Sequence, residues 1–587
     1  MDYGQQEKDA YSPEEGSPHG SYGHATPTHE SFFRRQIESF KRDPNARATP
    51  KGAVGADGKI FDAEGAAAAT ANSPLARKLK GRHLQMIAIG GSIGTGLFIG
   101  SGKVLATGGP ASVLIAFILI GIMLYCTVHA LGEMAVLFPV AGSFSAFSTR
   151  FLDPAWGFAM GWNYAMQWLV VLPLEIVAAS LTVDYWTHGS INNAAWVAIY
   201  LLLILSINLF GVRGYGEAEF VFAIIKVIAV IGFIILGIVI DCGGAPGIGY
   251  IGGANWHNPG AFHNGFKGLC SVFVTAAFSF AGTELVGLAA AETQNPRKSL
   301  PTAVKQVFWR ITLFYIVSLT LVGLIVPYTD ERLLSAASSA DASASPFVIS
   351  IKIAGIKGLD SVMNVVIMIA VLSVGNSSVY GSSRTLAALA DQNQAPRIFS
   401  YIDRRGRPMV GIALASALGF LAFLAASSKQ GDAFNWMLAL SGLSSVFTWG
   451  SICFAHIRFR AGWKKQGHSL DELAFRSQPG VYGSWVGFIF NILILIAQFW
   501  VGAWPVEYGD MTTNERVTGF FQAYLAFPIV IAFYIPYKLY FKTPFMRSMD
   551  MDLKTGIREL DLASLVAEER AERAAWPAWK KAYKLVC

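Results

Sequence analysis

The sequence predicts an all-α integral membrane protein with about twelve transmembrane helices. Three observations carry this reading. The 587-residue chain is 53% hydrophobic and only 14% charged, where a soluble protein carries about 25% charge. Its apolar residues fall in repeated runs of about 20, long enough to cross a bilayer. Two of those runs, in corresponding positions of the two halves, are interrupted by small residues: Ile89-Gly90-Gly91-Ser92-Ile93-Gly94-Thr95-Gly96 and Phe278-Ser279-Phe280-Ala281-Gly282-Thr283-Glu284. Glycine costs a helix about 1 kcal/mol against alanine, so such a cluster marks a helix that opens. Open backbone at membrane depth is tolerated only where it lines a cavity or is buried in protein.

Residues 1–80 are rich in Gly, Ala, Ser, Pro and charge, without a periodic apolar face. They read as a disordered cytosolic tail. A transmembrane domain follows over 81–545, with apolar spans 1 to 12 expected at 84–105, 110–137, 157–186, 193–211, 217–241, 266–290, 307–328, 359–386, 409–427, 432–457, 482–504 and 517–541. The polar tail 546–587 contains an amphipathic stretch from Ile557 to Ala575. The 138–156 loop, with Phe144, Phe147, Phe151 and Trp156, reads as a short interfacial helix, and Pro346-Phe347-Val348 opens a second candidate before span 8. Lys78, Lys80 and Arg82 flank span 1, and alternate loops carry Arg297, Lys298, Lys305 and Arg310, then Arg404, Arg405 and Arg407, then Arg458, Arg460, Lys464 and Lys465. The opposite loops 187–192 and 242–265 carry no Lys or Arg. The positive-inside rule therefore places both termini in the cytosol. The net charge of +7 follows from this topology and is no sign of nucleic-acid binding.

The five cysteines have no metal-type spacing, and only Cys242 is expected outside, so neither a metal nor a structural disulfide is expected. No HExxH or clustered His/Cys set suggests an enzyme, and no loop is long enough for a nucleotide-binding domain. The chemistry sits at the breaks. An opened helix offers free amides and a positive dipole end to a carboxylate, and free carbonyls to an ammonium. Ser92, Ile93, Gly94, Thr95 and Gly96 on span 1, with Phe278, Phe280, Ala281, Gly282 and Thr283 on span 6, are thus candidate binding residues for a zwitterion. The alternative is close helix packing, since Gly90…Gly94 and Gly96…Gly100 are GxxxG pairs. An ionised carboxylate near mid-bilayer usually has a partner or a task. Glu284 either braces the second break, senses substrate or proton, or does both. Lys226 in span 5 either snorkels to the cytosolic surface or lies buried near span 1, where it can carry a coupling proton. Glu175 in span 3 is a buried hydrogen-bond partner or a binding group. Glu133 is structural or forms an inner gate with Arg150, and His129 reads as a satisfied packing group. Ser373, Asn376 and Tyr380 on span 8 are candidates for lining the site. The Asn376-Ser377-Ser378 sequon lies inside that span and is discarded.

These segments, together with Gly132-Glu133-Met134-Ala135, Glu292-Thr293-Gln294-Asn295-Pro296-Arg297 and Ser383-Arg384-Thr385-Leu386, resemble the fungal amino-acid permeases of the amino acid–polyamine–organocation superfamily over about residues 80–545. The resemblance implies a LeuT-like fold: inverted five-helix repeats, spans 1–5 and 6–10, plus two extra helices. It implies a plasma-membrane symporter that takes up amino acids with protons and no cofactor, broad in range like the general permeases. A narrower permease for proline, basic or aromatic amino acids, or a non-transporting sensor, is the alternative. Lys226 matches the fifth-helix lysine proposed for proton coupling in a related bacterial transporter. In the tails the resemblance implies ubiquitin acceptors among Lys8, Lys41 and Lys51, and an exit signal at Asp550-Met551-Asp552. Cys587 stands where relatives carry a palmitoylated cysteine, but Val586 replaces the usual preceding aromatic residue.

Overall fold

The computed structural model describes residues 37–42, 61–91, 93–334, 345–426, 430–557 and 575–577. Among them the secondary structure is helical, with two isolated β-bridges and no strand. Hydrocarbon cannot hydrogen-bond backbone groups, so apolar runs of this length close their bonds within each helix.

Spans 3, 5, 8, 10 and 11 are single helices: Pro154–Thr187, Gly211–Asp241, Leu359–Asp391, Gln430–Lys465 and Gly480–Ala503. Span 7 is continuous over Pro296–Ile325, and span 12 is bent by 59° between Thr513–Tyr524 and Ala526–Phe541. Spans 4 and 9 are shorter apolar helices at Asn193–Leu209 and Met409–Leu424. The helix that runs through Gly96–Leu137 contains two spans, because Gly109 at φ +77° turns the chain before Pro110. Counted this way, the described residues hold the twelve expected spans. Several begin earlier or end later than the apolar run, because a helix continues into water once its apolar part has crossed. Span 7 starts at Pro296, where Asn295 Oδ1 accepts from the Lys298 amide at 3.3 Å and caps it.

Spans 3 and 8 pack along each other at the centre. The most apolar windows of spans 3 and 8 are 89% and 78% buried, against 33% and 28% in spans 5 and 11, which therefore face lipid. Spans 1 and 6 are the broken ones. An odd number of crossings separates their directions, so they run in opposite senses, as an inverted five-helix repeat requires.

Several expectations change. The helix Phe144–Phe151 exists, and it is buried within the protein and not laid on its surface. Pro346–Ile353 is likewise a buried helix. Arg310 is no loop residue: it is 1% exposed inside span 7 and donates to the Ala88 carbonyl at 2.8 Å. The N-terminal segment is partly built into the domain. Ala63–Ala71 is a helix capped by Asp62. Leu79 exchanges backbone bonds with Glu292 and Gln294 at 3.0 Å each, joining the start of span 1 to the end of span 6. Residues 37–42 also dock: Glu38 pairs with Arg404 at 2.8 Å, and the Arg404 amide donates to the Lys41 carbonyl at 3.0 Å. At the other end, Met551 and Leu553 are buried, and Gln466 donates to the Met551 carbonyl at 2.9 Å. Lys8, Lys51, Cys587 and nearly all of the 557–575 stretch lie outside the described residues.

Candidate functional site

The first helix of span 1 ends at Gly90, and helical backbone resumes at Thr95. Ser92 lies outside the described residues; the Ile93 amide still reaches the Gly90 carbonyl at 3.1 Å. Span 6 stops at Phe280, Ala281 is extended, and Gly282 adopts φ +98°. That conformation is open to glycine and strained for other residues. Thr283 Oγ1 donates to the Phe280 carbonyl at 2.7 Å, meeting one of the freed backbone groups. The two breaks touch: a Cβ on Gly96 would stand 2.4 Å from Ser279 Cα, so only glycine permits this approach.

Between them lies a small cavity lined by Gly94, Thr95, Gly96, Trp168, Val171, Glu175, Phe278, Ala281 and Val374. Its volume is ≈ 10 Å³, about the size of one water molecule. An amino acid therefore needs the walls to part. Thr95 Oγ1 donates to Glu175 Oε2 at 2.5 Å, while Glu175 Oε1, on a residue 1% exposed, has no hydrogen-bond partner among the described residues.

Glu284 does not face this cavity. Its oxygens accept from the Gly282 amide at 3.1 and 3.2 Å, Tyr164 Oη at 3.2 Å and Trp449 Nε1 at 3.1 Å. The carboxylate thus ties the second break to spans 3 and 10. Lys226 does not snorkel. It is fully buried, with Nζ 2.5 Å from the Gly90 carbonyl and 2.8 Å from Ser373 Oγ. It stands against the last carbonyl before the first break.

The structure brings Gly94, Thr95, Gly96, Glu175, Phe278 and Ala281 to one cavity, and it corrects the placement of others. Ser373 bonds to Lys226 and Glu219, and Asn376 Oδ1 accepts from Asn208 at 2.9 Å. Neither lines the cavity; Val374 does, because a one-residue step turns a helix by about 100°. Phe280 packs on Tyr315 at 4.1 Å instead. Tyr380 stacks on Tyr215 at 4.2 Å. Glu133 pairs with Arg460 (2.5 and 2.7 Å) and His456 (3.0 Å), not with Arg150. Arg150 reaches instead to the Thr555 carbonyl at 2.9 Å in the C-terminal segment. His129 is buried among Tyr125 and Phe475, and neither ring nitrogen has a hydrogen-bond partner among the described residues.

Sequence reasoning missed Trp168, Val171, Tyr164, Trp449 and Glu219. The aromatic residues carry no signal inside an aromatic-rich span. Glu219 did: it is a carboxylate two residues inside the expected start of span 5, and it was not singled out there.

A helical membrane protein with two spans broken against each other, and a cavity shared between the breaks, belongs structurally to the broken-helix transporters. The family profile "Amino acid permease" matches residues 83–548. "General amino-acid permease GAP2" of Candida albicans is 61% identical over 94% of this chain and 93% of that relative. "General amino-acid permease GAP1" of Saccharomyces cerevisiae is 56% identical, covering 97% and 94%. "Cationic amino acid transporter 1" of Schizosaccharomyces pombe is 51% identical, covering 91% and 86%. A solved structure of Mhp1, a nucleobase-cation-symport-1 family transporter in a closed conformation with bromovinylhydantoin bound, aligns at a TM-score of 0.44 with 14% identity, over 85% of this chain and 98% of that one. The chain belongs to the amino acid permease family. It is an amino-acid transporter and not an enzyme.

Proposed function

We propose that this permease is a broad-range, proton-coupled importer of the plasma membrane that works by alternating access, with both termini in the cytosol. In this reading the substrate carboxylate meets backbone amides of the first break near Gly94–Gly96. Its ammonium meets carbonyls around Phe278–Gly282 and Glu175 Oε1, which has no partner among the described residues. Thr283 and Glu284 hold the second break in shape. Such a site reads the part common to all amino acids. The remaining walls, Trp168, Val171, Phe278 and Val374, are apolar and offer no charge to select a side chain. The names of two relatives, "General amino-acid permease", support the broad range.

The observation that carries proton coupling is the contact of Lys226 Nζ with the Gly90 carbonyl at 2.5 Å. The Gly90 carbonyl closes the first helix and accepts from the Ile93 amide in the break. A protonated Lys226 adds a charge-assisted bond to it and pins the cytosolic half of span 1. A neutral lysine holds it less firmly, so protonation and the position of that half-helix are linked. Lys41, exposed beside Glu38, is the described candidate for ubiquitin attachment.

The test is labelled amino-acid uptake by purified protein in liposomes. Accumulation follows an imposed proton gradient, collapses with a protonophore and survives replacement of sodium by choline. Accumulation that needs sodium and ignores the proton gradient refutes the reading.

A further inference from the structure

Span 5 carries two fully buried ionisable groups, Glu219 and Lys226. Seven residues separate them, about two helical turns on one face. The lysine side chain points back toward the helix start, and its Nζ lies 3.6 Å from Glu219 Oε1. Ser373 of span 8 stands between them. Its Oγ accepts from Lys226 Nζ at 2.8 Å and donates to Glu219 Oε1 and Oε2 at 2.8 Å each. A hydroxyl has one proton to give, and here it is aimed at the carboxylate. The order N–H···O–H···O⁻ is that of a relay.

Other elements place charge and hydroxyls around this line. Arg310 of span 7 and Glu175 of span 3 act electrostatically on Lys226 from opposite signs. Tyr215, one turn before Glu219, is 3.1 Å from Ser377 Oγ and stacks on Tyr380. Arg384 and Glu292, paired at 3.1 Å, act on Tyr215 from the neighbouring spans. At the start of the span, His83 faces Glu217 at 3.2 Å. Polar groups thus continue from Lys226 toward that end of span 5.

We propose that Glu219 is the group that accepts the coupling proton from Lys226, through Ser373, and releases it toward the cytosol. The inference rests on the reading of Lys226 as the coupling group. An N–H bond at Lys226 breaks as an O–H bond forms at Ser373, whose own proton passes to Glu219. The products are a neutral amine and a neutral carboxylic acid, and nothing is oxidised or reduced. Cytosolic water then takes the proton from Glu219. Lys226 is reprotonated from the outer side in the opposite state, so one proton crosses per cycle. A buried pair suits this step, because the transfer exchanges two ions for two neutral groups and leaves no net buried charge. The neutral lysine holds the Gly90 carbonyl less firmly, which ties proton release to movement of Gly81–Gly90.

The test uses the full chain in liposomes and compares proton-driven accumulation with exchange of internal labelled for external unlabelled substrate. Glu219→Gln lowers accumulation about tenfold or more and flattens the pH dependence of KM, while exchange falls by a clearly smaller factor. Glu219→Asp, which keeps a carboxylate, restores part of the accumulation. Exchange and accumulation falling together, or an aspartate no better than glutamine, reduces Glu219 to a fixed counter-ion and overturns the proposal. Should Glu219→Gln fail to fold, Ser373→Ala asks the same question, since it removes the bridge and leaves both ionisable groups. Selective loss of accumulation supports the relay, and unchanged accumulation overturns it. If the unaltered protein ignores an imposed proton gradient, the coupling reading itself falls. If it responds and Glu219→Gln responds equally, only the assignment of Glu219 falls.

Discussion

Replacing Glu284 by glutamine tests whether the second break depends on a charged brace. Its two oxygens accept from the Gly282 amide, Tyr164 and Trp449 at 3.1–3.2 Å. Glutamine turns one acceptor oxygen into a donor. The Trp449 indole can only donate, whereas the Tyr164 hydroxyl can rotate to accept. The amide therefore settles with its oxygen on Trp449 and its nitrogen on Tyr164. The Trp449 bond and the Gly282 bond to the same oxygen, at 3.2 Å, survive but lose charge assistance, about 1 kcal/mol each, while the 3.1 Å Gly282 contact now faces an amide nitrogen that cannot accept. The sum, about 2 kcal/mol, corresponds to roughly a 30-fold loss of transport per molecule. Glu284→Ala leaves the Trp449 and Gly282 N–H groups buried without acceptors at about 1–3 kcal/mol each, and takes transport to background. Trp449→Phe added to Glu284→Gln costs less than the product of the single losses, because both act on one network. The assay is initial uptake of labelled amino acid, normalised to surface-biotinylated protein. Uptake by Glu284→Gln within about threefold of wild type refutes the brace. So does a loss that disappears on normalisation.

Two further predictions concern the first break and the C-terminal segment. A Cβ at Gly94 would lie 2.5 Å from Val374 Cγ2, and a β-branched side chain adds two methyls. Gly94→Val should therefore block substrates of every side-chain class alike; competition by unlabelled amino acids that shows one class spared contradicts recognition through the common head group. Asp552 Oδ1 accepts from the Lys554 and Thr555 amides at 3.0 and 2.9 Å. Burial opposes its charge, but Arg150 and those amides prevail and hold its carboxyl below the usual range. A carboxyl lowered on folding contributes stability above its unfolded value and loses it as pH falls through the folded one. Docking of 546–557 should thus be constant through neutral pH and loosen only below about pH 4. Asp552→Asn should loosen it at pH 7 and remove that acid dependence. Hydrogen exchange of this segment across the pH range checks both, and equal exchange in the two proteins contradicts a role of Asp552 in the docking.

Much of the site was legible because its residues violate the rule of their surroundings. Gly94, Gly96 and Gly282 weaken helices that have every other reason to continue, and Glu175, Lys226 and Glu284 place charge where it is costly. What was not legible is which way those groups point. Lys226 had two placements open to a long flexible side chain, and packing against Gly90 chose one. Ser373, Val374 and Asn376 are neighbours in sequence on a stretch of span 8 buried all round, so no hydrophobic face tells which residue meets the cavity. Glu133 had several basic residues within reach of its end of span 2; the fold supplied Arg460 and gave Arg150 to the C-terminal segment. The docking of 37–42 and 63–71 was also hidden, since a six-residue segment and an alanine-rich one, AEGAAAATA, carry no apolar periodicity of their own and are ordered by the surface that receives them.

By itself the sequence determined that the protein is an all-helical membrane protein, how many times the chain crosses and where two helices must open. Those properties follow from transfer of local segments into hydrocarbon and from the backbone freedom of glycine, and both depend only on neighbours along the chain. The tertiary structure alone decided that the breaks meet across Gly96 and Ser279, that Glu284 bonds to Gly282, Tyr164 and Trp449 and is not among the residues lining the cavity, and that Lys226, Ser373 and Glu219 form one line. These are contacts between residues far apart in sequence. Their distances depend on how spans 1, 3, 5, 6, 8 and 10 pack against one another, which composition and spacing leave open.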